Sequence, residues 1–101
     1  MTEELIHDSR LVSVYLIMGE EAETTAEVLG ETYPDAKIQK FPAYISVERP
    51  DSLVIDVAAV RERLGRDFDV PTFLVSLSSY IGRINVEDDR VRLETEVVKV
   101  A

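Results

Sequence analysis

The order of strand and helix patterns along the chain is the feature that most constrains its fold. Residues 11–18 form a short apolar run rich in β-branched and aromatic residues, which predicts a buried strand. An acidic pair beginning at Glu20 then opens a helix, where the helix dipole favours carboxylates, and Pro34 ends that helix. Alternating patterns at residues 37–41 and 44–47 predict two further strands.

The same order begins again after a turn-forming run at residues 49–52. Residues 53–55 predict a strand, Asp56 is placed to cap a second helix, and Gly65 occupies the position of a left-handed residue at the end of that helix. Residues 73–80 form the clearest strand pattern in the chain. The last predicted elements are the hairpin strands 81–86 and 91–97, around an acidic turn at 87–89.

Two β-α-β-β halves in 101 residues predict one α+β domain, with two helices packed on largely antiparallel sheets. The halves share a pattern of elements and no visible sequence similarity. We expect a single domain over residues 11–98, flanked by a flexible N-terminal tail at 1–10 and a C-terminal tail at 99–101.

The composition excludes most kinds of chemistry. The chain has no Cys and one His, so it offers no thiolate, disulfide or Cys/His zinc site. The single histidine, His7, lies in the predicted tail, where nothing holds it as a catalytic base. The acidic residues around Phe68 and at 87–89 lack the spacing of a calcium loop, and the four glycines form no phosphate-binding loop. We therefore expect no catalytic residue, no metal and no cofactor.

The charge and the hydropathy limit the partners. A formal net charge of −9 argues against nucleic acid and against anionic membranes, because both require clustered cations. The longest apolar stretches have the length of a strand, and the polar, acidic N-terminus does not resemble a secretory signal. We expect a cytoplasmic protein.

The predicted strand at residues 73–80 has an unusual outer face. Alternate residues of a strand point to opposite faces, so one set would face the core. The predicted core-facing residues are Phe73, Val75 and Leu77. The opposite face consists of Leu74, Ser76, Ser78 and Tyr80. That face is small and uncharged in a chain in which 31% of residues are charged, so it is either a binding surface or packed inside the protein.

Two motifs resemble the effector proteins, also called coupling or regulatory proteins, of bacterial multicomponent di-iron monooxygenases. The first is RLGRDFDV at residues 63–70, and the second is FLVSLSSYIGR at residues 73–83. Upstream, Tyr33-Pro34 and the sequence FPA at residues 41–43 also fit. The resemblance covers residues 11–97, and the order of the motifs makes it specific.

The resemblance implies a non-catalytic, cofactor-free protein that docks on the α subunit of a di-iron hydroxylase. It would tune access of substrate and oxygen, and couple electrons from a flavin/iron–sulfur reductase to hydroxylation of a hydrocarbon or phenol. The expected hydroxylase-docking residues are Leu74, Ser76, Ser78, Ser79, Tyr80, Ile81, Gly82 and Arg83. Tyr80 replaces the smaller hydroxyl residue of the methane-type members, which argues against methane as the substrate.

An alternative is a stand-alone ferredoxin-like domain that binds a small molecule at a homodimer interface. Two further expectations accompany the effector hypothesis. Gly82 is expected to allow a positive φ or a close backbone approach, so that Gly82→Asp blocks docking while the fold stays intact. The partner surface is expected to be basic around its rim.

Overall fold

The structure, a computed structural model, describes residues 10–95 and contains seven strands and three helices in that range. The strands are β1 (Leu11–Ile17), β2 (Lys37–Lys40), β3 (Tyr44–Pro50), β4 (Ser52–Asp56), β5 (Leu77–Ile81), β6 (Arg83–Glu87) and β7 (Arg90–Glu94). The helices are α1 (Glu20–Thr32), α2 (Val57–Leu64) and α3 (Val70–Ser76). The predicted tail residues 1–9 with His7, and residues 96–101, lie outside the described range.

The strands form two antiparallel sheets, which confirms the predicted fold class. One sheet has four strands in the order β2-β3-β1-β5, and the other has three in the order β4-β7-β6. The core side of β1 is lined by Val12, Val14 and Leu16, which are fully buried. Helix α1 packs on β3, and its buried Ala22 and Leu29 belong to the same core.

The chain passes from one sheet to the other at two single residues. Asp51 joins β3 to β4 with a φ of 74°, so the predicted turn at 49–52 is a bend at one residue. Gly82 joins β5 to β6 with a φ of 122°. Because β5 pairs with β1, the second predicted half of the chain contributes a strand to the sheet of the first half.

The predicted strand at residues 73–80 is wrong over its first four positions, which belong to α3. The Asp69 carboxylate accepts hydrogen bonds from the Thr72 amide at 2.9 Å and from the Thr72 hydroxyl at 2.6 Å, which caps the helix. Pro71 lies in the first turn, where it is compatible with a helix. Phe73 is fully buried edge-on against Phe68, at a centroid distance of 6.5 Å. Capping and burial thus override the β-propensity of this segment, and the protein has three helices where two were predicted.

Other local predictions are confirmed. The Asp56 carboxylate accepts from the Ala59 amide at 3.1 Å and caps α2. Gly65 ends that helix in the left-handed conformation, with a φ of 72°. Strands β6 and β7 form the predicted hairpin around its acidic turn. Within residues 10–95, no helix is long and apolar enough to cross a membrane.

Candidate docking surface

The face of the four-stranded sheet that points away from the core carries small hydroxyl side chains, aromatic rings and isoleucines. Residues of β1 alternate between the core and this face, and the strand register places their neighbours on β3 and β5 beside them. Its uncharged members, which we call the outer sheet face, are Ser13, Tyr15, Ile17, Tyr44, Ser46, Ser79 and Ile81. Glu48, which pairs with Ser13, and Lys37 and Gln39 on β2 lie on the same side of the sheet next to them. Ile17 and Ile81 are about half exposed, at 52% and 51%, whereas Ser13 and Ser46 are buried.

An aromatic cluster borders a shallow depression on the outer sheet face. Tyr15 and Tyr44 meet edge-on with ring centroids 6.0 Å apart, and Phe41 stacks on Tyr44 at 4.7 Å. The depression is lined by Tyr15, Ile17, Ala43, Tyr44, Ser78 and Ser79. None of these residues is charged. Tyrosine and isoleucine contribute apolar contact area, and the hydroxyl groups can hydrogen-bond to a partner.

A second depression continues this surface towards α3. It is lined by Ile17, Met18, Gly19, Glu20, Glu21, Ala22, Arg66, Val75 and Ser76. Because Ile17 lines both depressions, the two are contiguous. At the rim of the second depression, Arg66 forms ion pairs with Glu20 at 3.1 Å and Glu21 at 3.5 Å.

The predicted docking residues are distributed over α3, β5, β6 and the glycine between the two strands, and they do not share one strand face. Ser79 and Ile81 lie on the outer sheet face, and Ser78 lines its depression. Tyr80 sits opposite Val14 on the other side of β5, 43% exposed at the edge of the sheet.

Leu74 and Ser76 belong to α3, and the Ser76 hydroxyl donates to the Phe73 carbonyl at 2.8 Å. The sequence-based assignment of Val75 to the core is wrong, since its side chain is 78% exposed. The physical reason is the helical period of α3, which turns Phe73 inward and Val75 outward.

Gly82 and Arg83 have structural roles. A Cβ atom on Gly82 would lie 2.9 Å from the Glu94 carbonyl oxygen and 3.0 Å from Val12 Cγ1. Both the predicted positive φ and the predicted close approach are therefore confirmed. The same geometry argues against the expectation that Gly82→Asp leaves the fold intact. Arg83 forms an ion pair with Glu94 at 3.3 Å across the β6–β7 pair.

Sequence reasoning missed Tyr15, Ile17 and Tyr44 as surface residues. The apolar run at residues 11–18 predicts a buried strand, whereas in the structure the fully buried Val12, Val14 and Leu16 alternate with Ser13, Tyr15 and Ile17. This alternation of period two was the available signal. It was weak because tyrosine and isoleucine are also common in strand cores.

Acidic side chains near the three-stranded sheet form ion pairs with arginines. The Arg61 guanidinium hydrogen-bonds to Asp89 at 2.9 Å and lowers the pKa of that carboxyl. Arg92 lowers the pKa of Glu87 in the same way. Over residues 10–95, no group of three or more His, Cys, Asp or Glu side chains is arranged to hold a metal ion.

The fold and this surface define a small α+β binding protein, and comparison with known proteins specifies its kind. The model of the MmoB/DmpM family matches residues 10–94, and the chain belongs to this family. A curated relative is the stimulatory component DmpM of phenol 2-monooxygenase from Pseudomonas sp. (strain CF600). It is 34% identical over 86 residues, which are 85% of this chain and 96% of the relative.

Solved structures show the same fold. A chain from a structure of the phenol hydroxylase–regulatory protein complex has a TM-score of 0.74 at 34% identity, covering 83% of this chain and 97% of that chain. A chain from a second structure of that complex has a TM-score of 0.69 at 36% identity, covering 83% and 98%. The regulatory protein B of soluble methane monooxygenase has a TM-score of 0.68 at 26% identity, covering 87% and 67%. The resemblance inferred from the sequence motifs is therefore confirmed.

Proposed function

We propose that this protein is a non-catalytic effector component of a bacterial multicomponent monooxygenase. It docks on the di-iron hydroxylase and couples NADH-derived electrons, delivered by a flavin/iron–sulfur reductase, to hydroxylation of substrate. The proposal is supported by a relative that is a stimulatory component of phenol 2-monooxygenase, and by two similar chains from the phenol hydroxylase–regulatory protein complex. The higher identity to these proteins than to the methane-type protein favours a phenol or another aromatic substrate. We place it in the cytoplasm.

The observation that carries the proposal is the contiguous uncharged group of the outer sheet face, bordered by Lys37 and Glu48, on a chain with a net charge of −9. Charged side chains are usually depleted at the centre of a protein interface, where aromatic side chains are enriched. The aromatic cluster around Tyr44 and the exposed side chains of Ile17 and Ile81 have this composition. The acidic residues outside this face favour a hydroxylase surface that is basic around the contact.

The docking surface that we propose combines residues indicated by the sequence motifs with residues that the structure places beside them. From the sequence it retains Leu74, Ser76, Ser78, Ser79, Tyr80, Ile81, Gly82 and Arg83. From the structure it gains Tyr15, Ile17, Tyr44 and Val75. Among them, Gly82 acts by shaping the backbone between β5 and β6, because it has no side chain to contact a partner.

An effector without catalytic groups acts through its binding energy. A bound protein shifts a conformational equilibrium of its partner only by the difference in its affinity for the two states. We therefore expect the effector to bind one state of the hydroxylase more tightly, namely the state in which electrons reach substrate hydroxylation. The effector would then change the yield of product per NADH as well as the rate.

Reconstitution tests the proposal directly. The cognate hydroxylase and reductase are assayed with and without this protein, and product formed per NADH consumed is measured. We expect the yield to rise with effector concentration until that concentration equals the concentration of hydroxylase active sites. An unchanged yield and rate at all effector concentrations would refute the proposed function.

A pair of variants tests the docking surface. Ile81→Lys places a charge on the outer sheet face, and Thr32→Lys makes the same charge change at an exposed position at the end of α1, away from this face. We expect Ile81→Lys to weaken hydroxylase binding by about tenfold or more, as for a central interface residue, and Thr32→Lys to change it little. Equal affinities of both variants, measured by titration of the hydroxylase, would remove the outer sheet face from the interface.

The alternative of a ligand-binding ferredoxin-like homodimer makes a different prediction. It requires a defined dimer in sedimentation and thermal stabilisation by a small metabolite. Membership of the MmoB/DmpM family favours the effector.

A further inference from the structure

Strands β5 and β6 form an edge of the protein to which no other strand of residues 10–95 is paired. β5 is the last strand of the four-stranded sheet, and β6 is the last strand of the three-stranded sheet. Only Gly82 separates them, and it lies close to both Val12 on β1 and Glu94 on β7. The paired strands β1 and β7 therefore lie on the same side of this ribbon, and none of the described strands lies on its other side.

The hydrogen-bond pattern identifies the backbone groups of β5 that point outward. The Met18 amide donates to the Ala43 carbonyl, so even-numbered residues of β1 bond to β3. Odd-numbered residues of β1 therefore bond to β5, where the register pairs Ser13 with Ile81. Because bonding alternates along an antiparallel strand, the N–H and C=O of Tyr80 point away from the sheet.

The backbone groups of β6 also alternate between groups that bond to β7 and groups that point outward. The Thr95 amide donates to the Asp51 carbonyl, so odd-numbered residues of β7 bond to β4. Even-numbered residues of β7 therefore bond to β6. Their partners on β6 are Arg83, Asn85 and Glu87. The backbone groups of Ile84 and Val86 then point outward, as do those of Tyr80. The free edge thus presents outward groups at residues 80, 84 and 86, over a segment whose seven residues span about 20 Å when extended.

The other sheet edges are protected, and this edge is not. β2 is four residues long and begins and ends in lysine, a common way to block edge pairing. On β4, the outward Val54 amide donates to the Tyr33 hydroxyl at 3.1 Å, and the outward Ser52 carbonyl accepts from Arg49 at 2.6 Å. By contrast, residues 80–86 contain one charged side chain. Within the described range, no hydrogen bond reaches the outward backbone groups at 80, 84 and 86.

Charge and position select the occupant of this edge. A second copy of the chain would bring another net charge of −9 against the first, which disfavours self-pairing. The far end of the edge is acidic, with Glu87 followed by Asp88 in the turn. At its other end, the same ribbon carries Ser79 and Ile81 of the outer sheet face, so a partner seated on that face already lies beside the edge.

We propose that the edge formed by β5 and β6 binds an extended segment of the hydroxylase as an added β-strand. This inference rests on the proposed function. Such strand addition provides affinity through main-chain hydrogen bonds. The segment would be uncharged along its centre and would carry Lys or Arg where it meets Asp88.

A proline at an outward-facing position tests the inference. Val86→Pro removes an outward N–H and leaves the bonds between β6 and β7 intact, because edge strands tolerate proline there. Lys40→Pro is the matched control, since the Phe41 amide donates to the Tyr44 carbonyl and turns the Lys40 amide outward on the edge of β2. Val86→Thr controls for the side chain. We expect Val86→Pro to weaken hydroxylase binding about tenfold and both controls to change it less than threefold.

Amide hydrogen exchange provides a readout that does not depend on the stability of the proline variant. In the complex of unmodified protein and hydroxylase, the amides of Tyr80, Ile84 and Val86 should exchange at least tenfold more slowly than in the free protein, while Lys40 changes little. If the complex forms and raises the product yield while these three amides keep their free rates, the edge inference is overturned and the proposed function stands. If the protein does not bind the hydroxylase, both fail. If sedimentation shows a dimer of the protein alone, and the same three amides are protected in that dimer, the edge binds a second copy of the chain and the edge inference is overturned.

Discussion

Gly82→Ala should destabilise the protein strongly, although the substitution adds a single methyl group. At a φ of 122° the backbone of Gly82 lies in a region that residues with a side chain rarely adopt, which costs about 1–3 kcal/mol. The new Cβ would also lie 2.9 Å from the Glu94 carbonyl oxygen, and such overpacking costs about 1–3 kcal/mol. The sum is about 2–6 kcal/mol, a large part of the roughly 5–15 kcal/mol that stabilises a typical domain. For a chain of this size the midpoint of thermal unfolding should fall by about 10 °C or more.

Gly19→Ala is the matched control. Gly19 precedes α1 in extended backbone, and a Cβ atom there meets no other atom within 4 Å. The free energy of unfolding, measured in urea, should change by less than about 1 kcal/mol. If Gly82→Ala and Gly19→Ala unfolded at the same urea concentration, the reasoning from φ and contact distance would be refuted.

Two further variant sets probe the segment whose secondary structure differed from the sequence prediction. Phe73→Ala should lower the free energy of unfolding, measured in urea, by about 3–5 kcal/mol, because the Phe73 side chain is fully buried. Val75→Ala should lower it by less than about 1 kcal/mol, because the Val75 side chain is exposed. Similar losses for the two variants would contradict the helical conformation of α3. Hydrogen bonds from Thr72 lower the pKa of Asp69, so the stabilisation from this carboxylate is present above its unfolded-state pKa and is lost as the pH falls through the lower folded-state pKa. Asp69→Asn keeps a cap without the titration. The stability advantage of the unmodified protein over this variant should therefore shrink as the pH falls below the ordinary aspartate pKa of about 3.9. A constant difference in urea unfolding would argue against the ionised cap.

Local signals in the chain were sufficient where one residue type meets one local requirement. The cap at Asp56 and the left-handed glycine at position 65 depend on interactions within a few residues, and both predictions are confirmed. The same is true of the hairpin β6–β7, whose turn and alternating strands are adjacent in sequence. The family motifs combined several such signals in order, which explains why the resemblance was specific enough to be confirmed.

The helix α3 shows where local reasoning failed. Residues 73–76 have the branched and aromatic composition of a strand. Their helical form depends on a cap at Asp69 and on a pocket for Phe73 beside Phe68, a contact that becomes available only in the folded core. Burial of one large aromatic side chain contributes more free energy than the differences in intrinsic propensity over a short segment.

Sequence alone determined the class of the fold, the absence of cysteine and the uncharged character of residues 74–82, because composition and short-range pattern are properties of the chain itself. Tertiary structure decided which uncharged residues share a surface. The pairing of β5 with β1 brings Ser79 beside Tyr15, and the pairing of β1 with β3 adds Ser46, although these residues are far apart in the chain. Strand register is set by packing of the core across the whole domain, so both the outer sheet face and the open edge beside it emerge only when the sheets are assembled.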